Sequence, residues 1–297
     1  MLFSQNPAAQ KRADFRKALA SGKLLAFPGT PTPIVALMIE QAGFDGVYVS
    51  GAGLANELGL PDIGLTTLPE VVSRGRQIVA CTDLPVIIDI DTGFGEPMSA
   101  VRTVRELEAV GIAGCHLEDQ ENPKRCGHLD GKSLVSREAM ARKVKAAVDA
   151  KIDKNFLIIA RTDARASEGF DKALDRAKAY VDAGAEMIFP EALADEKEFE
   201  AFRKAVSVPL LANMTEFGKS KLLTRTQLEA LGFNLVIYPQ TAFRLACKAV
   251  EDGLAELKRA GTQESLLTRM QTRARLYEVI RYEEYNRYDQ SLFNFKL

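Results

Sequence analysis

The sequence predicts an α/β fold, a (β/α)8 barrel of the TIM type with a C-terminal helical extension. Three observations predict it. A unit of short apolar run, polar loop and longer helical pattern recurs eight times, no linker or low-complexity stretch interrupts the series, and charged and amide residues gather just after the runs. The 297 residues suit one large barrel, so a single domain over residues 1–297 is expected, with a helical segment from about 261 to 297. A doubly wound sheet uses the same units, because sequence counts strands without showing whether they close.

The runs are Leu24 to Phe27, Val47 to Ser50, Val86 to Ile90, Ala113 to Glu118, Leu157 to Arg161, Met187 to Pro190, Pro209 to Ala212 and Leu235 to Tyr238. Several are nearly continuous in Ile, Val and Leu, as parallel strands covered on both faces must be. Between them, Thr67-Leu68-Pro69-Glu70 reads as a capping box and Ser136 as a second N-cap. Gly43, Gly111 and Gly184 stand where helices should stop. The tail from Gly261 carries Tyr277, Tyr282, Tyr285, Tyr288, Phe293 and Phe295. Those aromatics need a surface, either this chain's own barrel or another subunit.

Hydrophobic residues make up 46%, charged residues 27%, and the net charge is −1, the balance of a globular protein with no field to draw nucleic acid or an anionic membrane. No apolar run approaches the roughly 20 residues that span a bilayer, and Met1 to Arg16 lacks the order of a signal peptide, so a cytoplasmic protein is expected. Cys81, Cys115, Cys126 and Cys247 are too scattered for a disulfide framework or a zinc cluster. With two histidines, His116 and His128, zinc hydrolysis and Ser-His-Asp chemistry are poorly supplied.

The polar residues at the carboxyl ends of the runs are Ser50, Asp89 and Asp91, Glu118 and Asp119, Arg161 and Asp163, Glu191, Asn213 and Thr215, with Arg244 beyond the eighth. Barrel enzymes build their sites on that face. Asp89 and Asp91, two apart, would share a face of one strand, and a cation would relieve their repulsion. Hard oxygen donors with room for water suit Mg²⁺, which Glu118 could join directly or through water. The alternative is solvated strand-end acids or partners for Arg161. Arg161, Arg244 and Arg273 read as carboxylate clamps or as surface ion pairs. His116 shares strand parity with Glu118, points into the barrel and is expected to be structural. Ser50-Gly51-Ala52-Gly53 is better suited to a backbone cradle for a carboxylate than to a dinucleotide, since Asn56 occupies the third glycine position.

Lys124-Arg125-Cys126-Gly127-His128 is the second cluster. Two cations, a glycine and a histidine around a thiol lower its pKa and make it a working acid or nucleophile. The same cations could instead bind substrate carboxylates. A non-catalytic carboxylate-binding protein would explain the arginines but leaves this cysteine without a purpose.

These runs, with Asp89-Ile90-Asp91-Thr92-Gly93-Phe94-Gly95, His116-Leu117-Glu118-Asp119-Gln120, Ala160-Arg161-Thr162-Asp163-Ala164, Phe189-Pro190-Glu191-Ala192, Asn213-Met214-Thr215-Glu216-Phe217-Gly218 and Met270-Gln271-Thr272-Arg273, resemble the isocitrate lyase/phosphoenolpyruvate mutase superfamily over almost the whole chain. The resemblance implies a barrel whose eighth helix swaps between subunits of a homotetramer. It implies Mg²⁺ held by Asp89 and Asp91, with Glu118 and Asp62 acting through water. It places Ser50, Gly51, Ala52, Cys126, Gly127, Arg161, Glu191, Asn213, Met214, Thr215, Arg244 and Arg273 against a small di- or tricarboxylate, with Cys126, His128 and Arg161 catalytic. The expected reaction is carbon–carbon cleavage of 2-methylisocitrate to pyruvate and succinate, a step of propionate breakdown in the methylcitrate cycle. Apolar Phe189 and Ile237 would leave space for the extra methyl group. Oxaloacetate hydrolysis and dimethylmalate- or isocitrate-type cleavage are the alternatives, since those enzymes share much of the cysteine motif.

Overall fold

The computed structural model describes residues 4–125, 127 and 131–295. Eight parallel strands form its centre: β1 (Leu25–Pro28), β2 (Val47–Val49), β3 (Val86–Asp89), β4 (Gly114–Glu118), β5 (Leu157–Thr162), β6 (Met187–Pro190), β7 (Leu211–Asn213) and β8 (Leu235–Tyr238). Ladders run from β2 through β6 and from β7 through β8 to β1, with Leu25 opposite Leu235. Single parallel bridges, Gly29 to Tyr48 and Ile188 to Leu210, join the two arcs. The strands therefore close into a barrel, and the doubly wound alternative falls. The seam between β6 and β7 is thin where Pro209, which has no N–H, accepts from Ile188 but cannot donate.

The helices are α1 (Ala8–Leu19), α2 (Pro33–Gln41), α3 (Gly51–Glu57), α4 (Leu68–Cys81), α5 (Pro97–Ala109), α6 (Arg137–Ala150), α7 (Ala164–Ser167), α8 (Phe170–Asp182), α9 (Glu196–Ala205), α10 (Arg225–Ala230), α11 (Thr241–Ala260), α12 (Arg273–Val279) and α13 (Tyr282–Phe293). The expected start signals hold. Glu70 accepts from the Thr67 N–H at 2.8 Å and its hydroxyl at 2.7 Å, and Ser136 accepts from the Ala139 N–H at 3.1 Å. Gly43, Gly111 and Gly184 all adopt positive φ.

Side chains sort by strand alternation. Leu25, Phe27, Tyr48, Ile87, Leu157, Ile159, Met187, Phe189, Leu211, Leu235 and Ile237 fill the barrel interior. Their neighbours, among them Ile88, Cys115, Leu117, Ile158, Ala160, Ile188, Ala212 and Val236, pack outward beneath the helices. Phe15 and Leu19 of α1 join the interior cluster and close the amino-terminal mouth. No apolar pattern announced α1, because its other buried residues are Lys11 and Arg12.

Helix α12 packs on its own barrel, where Val279 is fully buried and Arg275 donates to Gln41 at 2.9 Å. The long α11 differs. It buries no residue within the chain and exposes Leu245, Val250, Leu254 and Leu257. Helix α13 likewise buries nothing and exposes Tyr282, Tyr285, Tyr288 and Phe293. No helix among the described residues is long and apolar enough to cross a membrane.

Candidate active site

Alternation that points Ile87, Ile159, Met187 and Leu211 into the barrel brings Asp89, Arg161, Glu191 and Asn213 to its carboxyl-terminal mouth, and Glu118 arrives the same way from His116. A cavity of about 200 Å³ opens there. It is lined by Tyr48, Ser50, Ala52, Asn56, Asp62, Asp89, Lys124, Gly127, Arg161, Phe189, Glu191, Asn213, Thr215, Pro239, Gln240 and Arg244. Most residues expected at the site meet in this one space.

Asp91 reaches the mouth by a different route from the one expected. Strand β3 ends at Asp89, and Asp91 lies in a turn at φ 48°, its N–H donating to Asp89 Oδ1 at 2.9 Å. Its carboxylate is therefore aimed by a left-handed turn closed by Gly93 N–H to Ile90 O, not by strand alternation. Gly51 donates its N–H to Asp89 Oδ2 at 3.2 Å, and a Cβ on it would meet that oxygen at 2.8 Å, so only glycine fits. Ser50 caps α3 by accepting from the Gly53 N–H at 3.1 Å. Below Asp89, His116 is fully buried with Nε2 2.8 Å from the Tyr48 hydroxyl and Nδ1 3.7 Å from Asp89 Oδ1. Burial holds this imidazole below its ordinary pKa despite Asp89, so the ring is neutral, and its Nδ1 has no hydrogen-bond partner among the described residues.

The charges are unevenly matched. Among the described residues, Asp62, Asp89, Asp91, Glu118, Asp163 and Glu191 converge on Lys124, Lys132 and Arg161. Lys124 Nζ is 2.7 Å from Asp91 Oδ1 and closer still to Asp62. Arg161 is shared between Asp163 at 2.9 Å, Glu118 at 3.2 Å and Glu191 at 3.2 Å, with its guanidinium over the Phe189 ring. Neither oxygen of Glu118 has a hydrogen-bond partner among the described residues. Burial pushes Glu118 well up, as do the nearby Asp163 and Asp89 charges, against the pull of Arg161 and Lys124. Burial likewise raises Asp91 to about 6, with Asp89 and Asp62 adding to it and Lys124 opposing. Asp89 goes the other way, held below its ordinary range against burial by His116, Lys124 and Arg161. The donor set therefore fits a hard divalent ion, although among the described residues no three acidic, histidine or cysteine groups already stand at ligand spacing.

The basic loop is only partly as expected. Cys126 and His128 lie outside the described residues. Lys124 is committed to Asp62 and Asp91, while Arg125 is exposed, its backbone pinned on both sides by Gln120. Gly127 seats the loop on the site, since a Cβ there would meet Arg161 Nη2 at 2.4 Å. Lys132 ties it down by donating to the Gly127 carbonyl and, at 2.9 Å, to Asp163. Asp163 is itself held through its N–H by Asp119, which also accepts from Thr162 and Tyr180.

Two expected contacts fall elsewhere within the chain. The Met214 side chain packs in the outer layer, where its sulfur accepts from the Leu223 N–H, so only its backbone stays near the cavity. Arg273 opens α12 on the surface and does not line the cavity. Tyr48, Asn56, Lys132 and Gln240 were not anticipated. Strand parity with Ser50 could have found Tyr48; Asn56 lies in the short helix α3, and Lys132 and Gln240 lie in segments without a period.

Eight closed parallel strands with their acids and Arg161 at the carboxyl-terminal mouth place the protein among the α/β barrels that carry a site on that face. The chain belongs to the phosphoenolpyruvate phosphomutase family, whose profile matches residues 15–258. It is 58% identical to the probable 2-methylisocitrate lyase 1 of Corynebacterium glutamicum, over 99% of this chain and 97% of that protein. Among solved structures, oxaloacetate acetylhydrolase in complex with 3,3-difluorooxalacetate superposes with a TM-score of 0.91 at 32% identity, covering 97% of this chain and 98% of that one. Phosphonopyruvate hydrolase in complex with oxalate and Mg²⁺ superposes with a TM-score of 0.86 at 30% identity, covering 95% and 98%.

Proposed function

We propose that this protein is a Mg²⁺-dependent lyase that cleaves 2-methylisocitrate to pyruvate and succinate, serving propionate breakdown in the cytoplasm. The observation that carries the reading is the make-up of the cavity, where the acids Asp62 and Asp89, with Asp91 reached through Lys124, meet the donors Arg161, Asn213, Thr215 and Arg244. That make-up suits a polycarboxylate held at its ends while a hydroxyl loses its proton between them. The full-length likeness to a probable 2-methylisocitrate lyase narrows the acid.

Asp89 and Asp91 would hold the metal, with Glu118 and Asp62 acting through water. When bound, Mg²⁺ supplies Lewis-acid polarisation of the substrate hydroxyl and its neighbouring carboxylate. As a base takes the hydroxyl proton, the oxygen becomes the pyruvate carbonyl and the adjoining carbon–carbon bond breaks. The bonding pair passes to the succinate fragment as an enediolate-like anion. Arg161 stabilises that charge, Asn213, Thr215 and Arg244 hold the carboxylates, and Ser50, Gly51 and Ala52 offer backbone N–H groups. Cys126, beside Gly127 and His128, delivers the proton to carbon. Phe189 lines the cavity and gives the methyl group an apolar wall, whereas Ile237 lies deeper in the barrel.

The whole chain acts as one barrel domain with its 261–297 helices. The apolar face of α11, unburied within the chain, supports exchange of that helix in a homotetramer, and the same assembly would give Arg273 a site to reach. Oxaloacetate hydrolysis is the second reading, favoured by the superposition on oxaloacetate acetylhydrolase. Incubation with Mg²⁺ and each acid separates them. Pyruvate with succinate supports the lyase; oxalate with acetate, and no cleavage of 2-methylisocitrate, replaces it.

A further inference from the structure

Gln240 is a polar residue of the cavity that neither strand parity nor the shared motifs single out. It stands at the N-cap of α11, is only 6% exposed and lines the cavity. Its Oε1 is buried without a hydrogen-bond partner among the described residues. That orphan is an acceptor, which an anion does not fill; the end of the amide that an anionic ligand can meet is its NH2, and a polar group on a cavity wall is where such a ligand is read.

The mount is rigid. Gly29 donates to the Tyr238 carbonyl at 2.9 Å, and its absent Cβ would strike the Pro239 carbonyl at 2.3 Å, which locks the chain just before Gln240. Just after it, the Thr241 hydroxyl bonds Glu216, and the Arg244 N–H donates to the Gln240 carbonyl at 2.9 Å. The amide is thus held by its backbone and left open at its tip. Asn213, Thr215 and Arg244 line the same cavity from β7, the loop after it and α11. Such donors recruit an anion, and an anion takes the N–H end of an amide.

We propose that Gln240 is a specificity-determining residue whose amide N–H donates to the substrate carboxylate bound by Asn213, Thr215 and Arg244. The proposal rests on reading the cavity as a polycarboxylate site. Gln240→Met keeps the length and bulk of the side chain and removes its hydrogen bonds, so a purely structural role would survive it. The expected result for 2-methylisocitrate is a KM raised about tenfold with kcat within about threefold of wild type, the split left by a lost binding contact. Gln240→Glu sets like charges together and lowers kcat/KM about a hundredfold. An unchanged KM in Gln240→Met overturns the proposal. Should wild type fail to cleave 2-methylisocitrate, the functional reading fails separately. Calorimetric binding of succinate in the presence of Mg²⁺ then decides this point: weaker binding by Gln240→Met than by wild type supports it, and equal binding, or none by either, overturns it.

Discussion

The two mouths of the barrel handle buried charge in opposite ways. At the amino-terminal mouth, α1 presents cations to backbone carbonyls. Lys11 donates to Val79 and Thr82, Arg12 to Glu108 and Ile112 with Asp153 as counter-charge, and Arg16 to Asn155 and Phe156 with Glu186. These contacts bring charged donors to carbonyls at helix and strand ends, and the Glu108 carbonyl accepts from the Gly111 N–H as well. At the carboxyl-terminal mouth, carboxylates crowd a few cations and Glu118 has no hydrogen bond among the described residues. The same fold therefore gathers stability at one end and keeps unsatisfied charge at the other, where a ligand can use it.

Substitutions at the two ends should separate activity from stability. Cys126→Ala should lower turnover about 10²- to 10⁴-fold, the range for a lost general acid, without moving the melting temperature. Near-normal product formation would remove Cys126 from the mechanism. Lys132→Met should cost about 10²-fold in kcat, mainly by misplacing the loop that Gly127 anchors, with a smaller change in KM. A change confined to KM would mean that Lys132 serves binding instead. Arg12→Met should do the reverse. It removes the side-chain donor to the buried Ile112 carbonyl and breaks the ion pair with Asp153, so denaturant unfolding should show a loss of about 3–5 kcal/mol while kcat per folded molecule stays near wild type.

The smallest effect lies beside α1. Burial tends to raise Asp83, but the Ser4 hydroxyl and the Asn6 and Gln5 N–H groups outweigh it and hold the carboxyl below its ordinary range. A depressed folded-state pKa gives stabilisation that is present above the unfolded value, about 3.9, and is lost as pH falls through the folded one. The protection of the Gln5 and Asn6 amides, measured against the intrinsic exchange rate at each pH, should therefore fall in acid before the barrel opens, and Asp83→Asn should remove that pH dependence.

How much could be read beforehand follows the same division. The strands were legible because each is buried on both faces, which leaves near-continuous apolar runs. Their two-residue period then carried Asp89, Glu118, Arg161, Glu191 and Asn213 to one mouth. Asp91 was read as sharing a strand face with Asp89, whereas a turn at positive φ aims it. Helix α1 was hidden because its buried face carries Lys11 and Arg12, whose long stems pack like apolar residues while their tips find carbonyls. Lys132 and Gln240 sit in segments with no repeating pattern, and their importance comes from partners far away in sequence. Arg273 shows another limit, because this chain alone gives it no cavity to line.

The proposed function requires that the acids of the carboxyl-terminal mouth bind a divalent cation. Thermal unfolding in EDTA against Mg²⁺, on wild type and on Asp89→Asn, tests it most directly. The account predicts a clear rise in wild-type melting temperature with Mg²⁺ and little or none in Asp89→Asn, because a ligand stabilises only the state that binds it. A wild-type protein that melts at the same temperature with and without Mg²⁺ would contradict it.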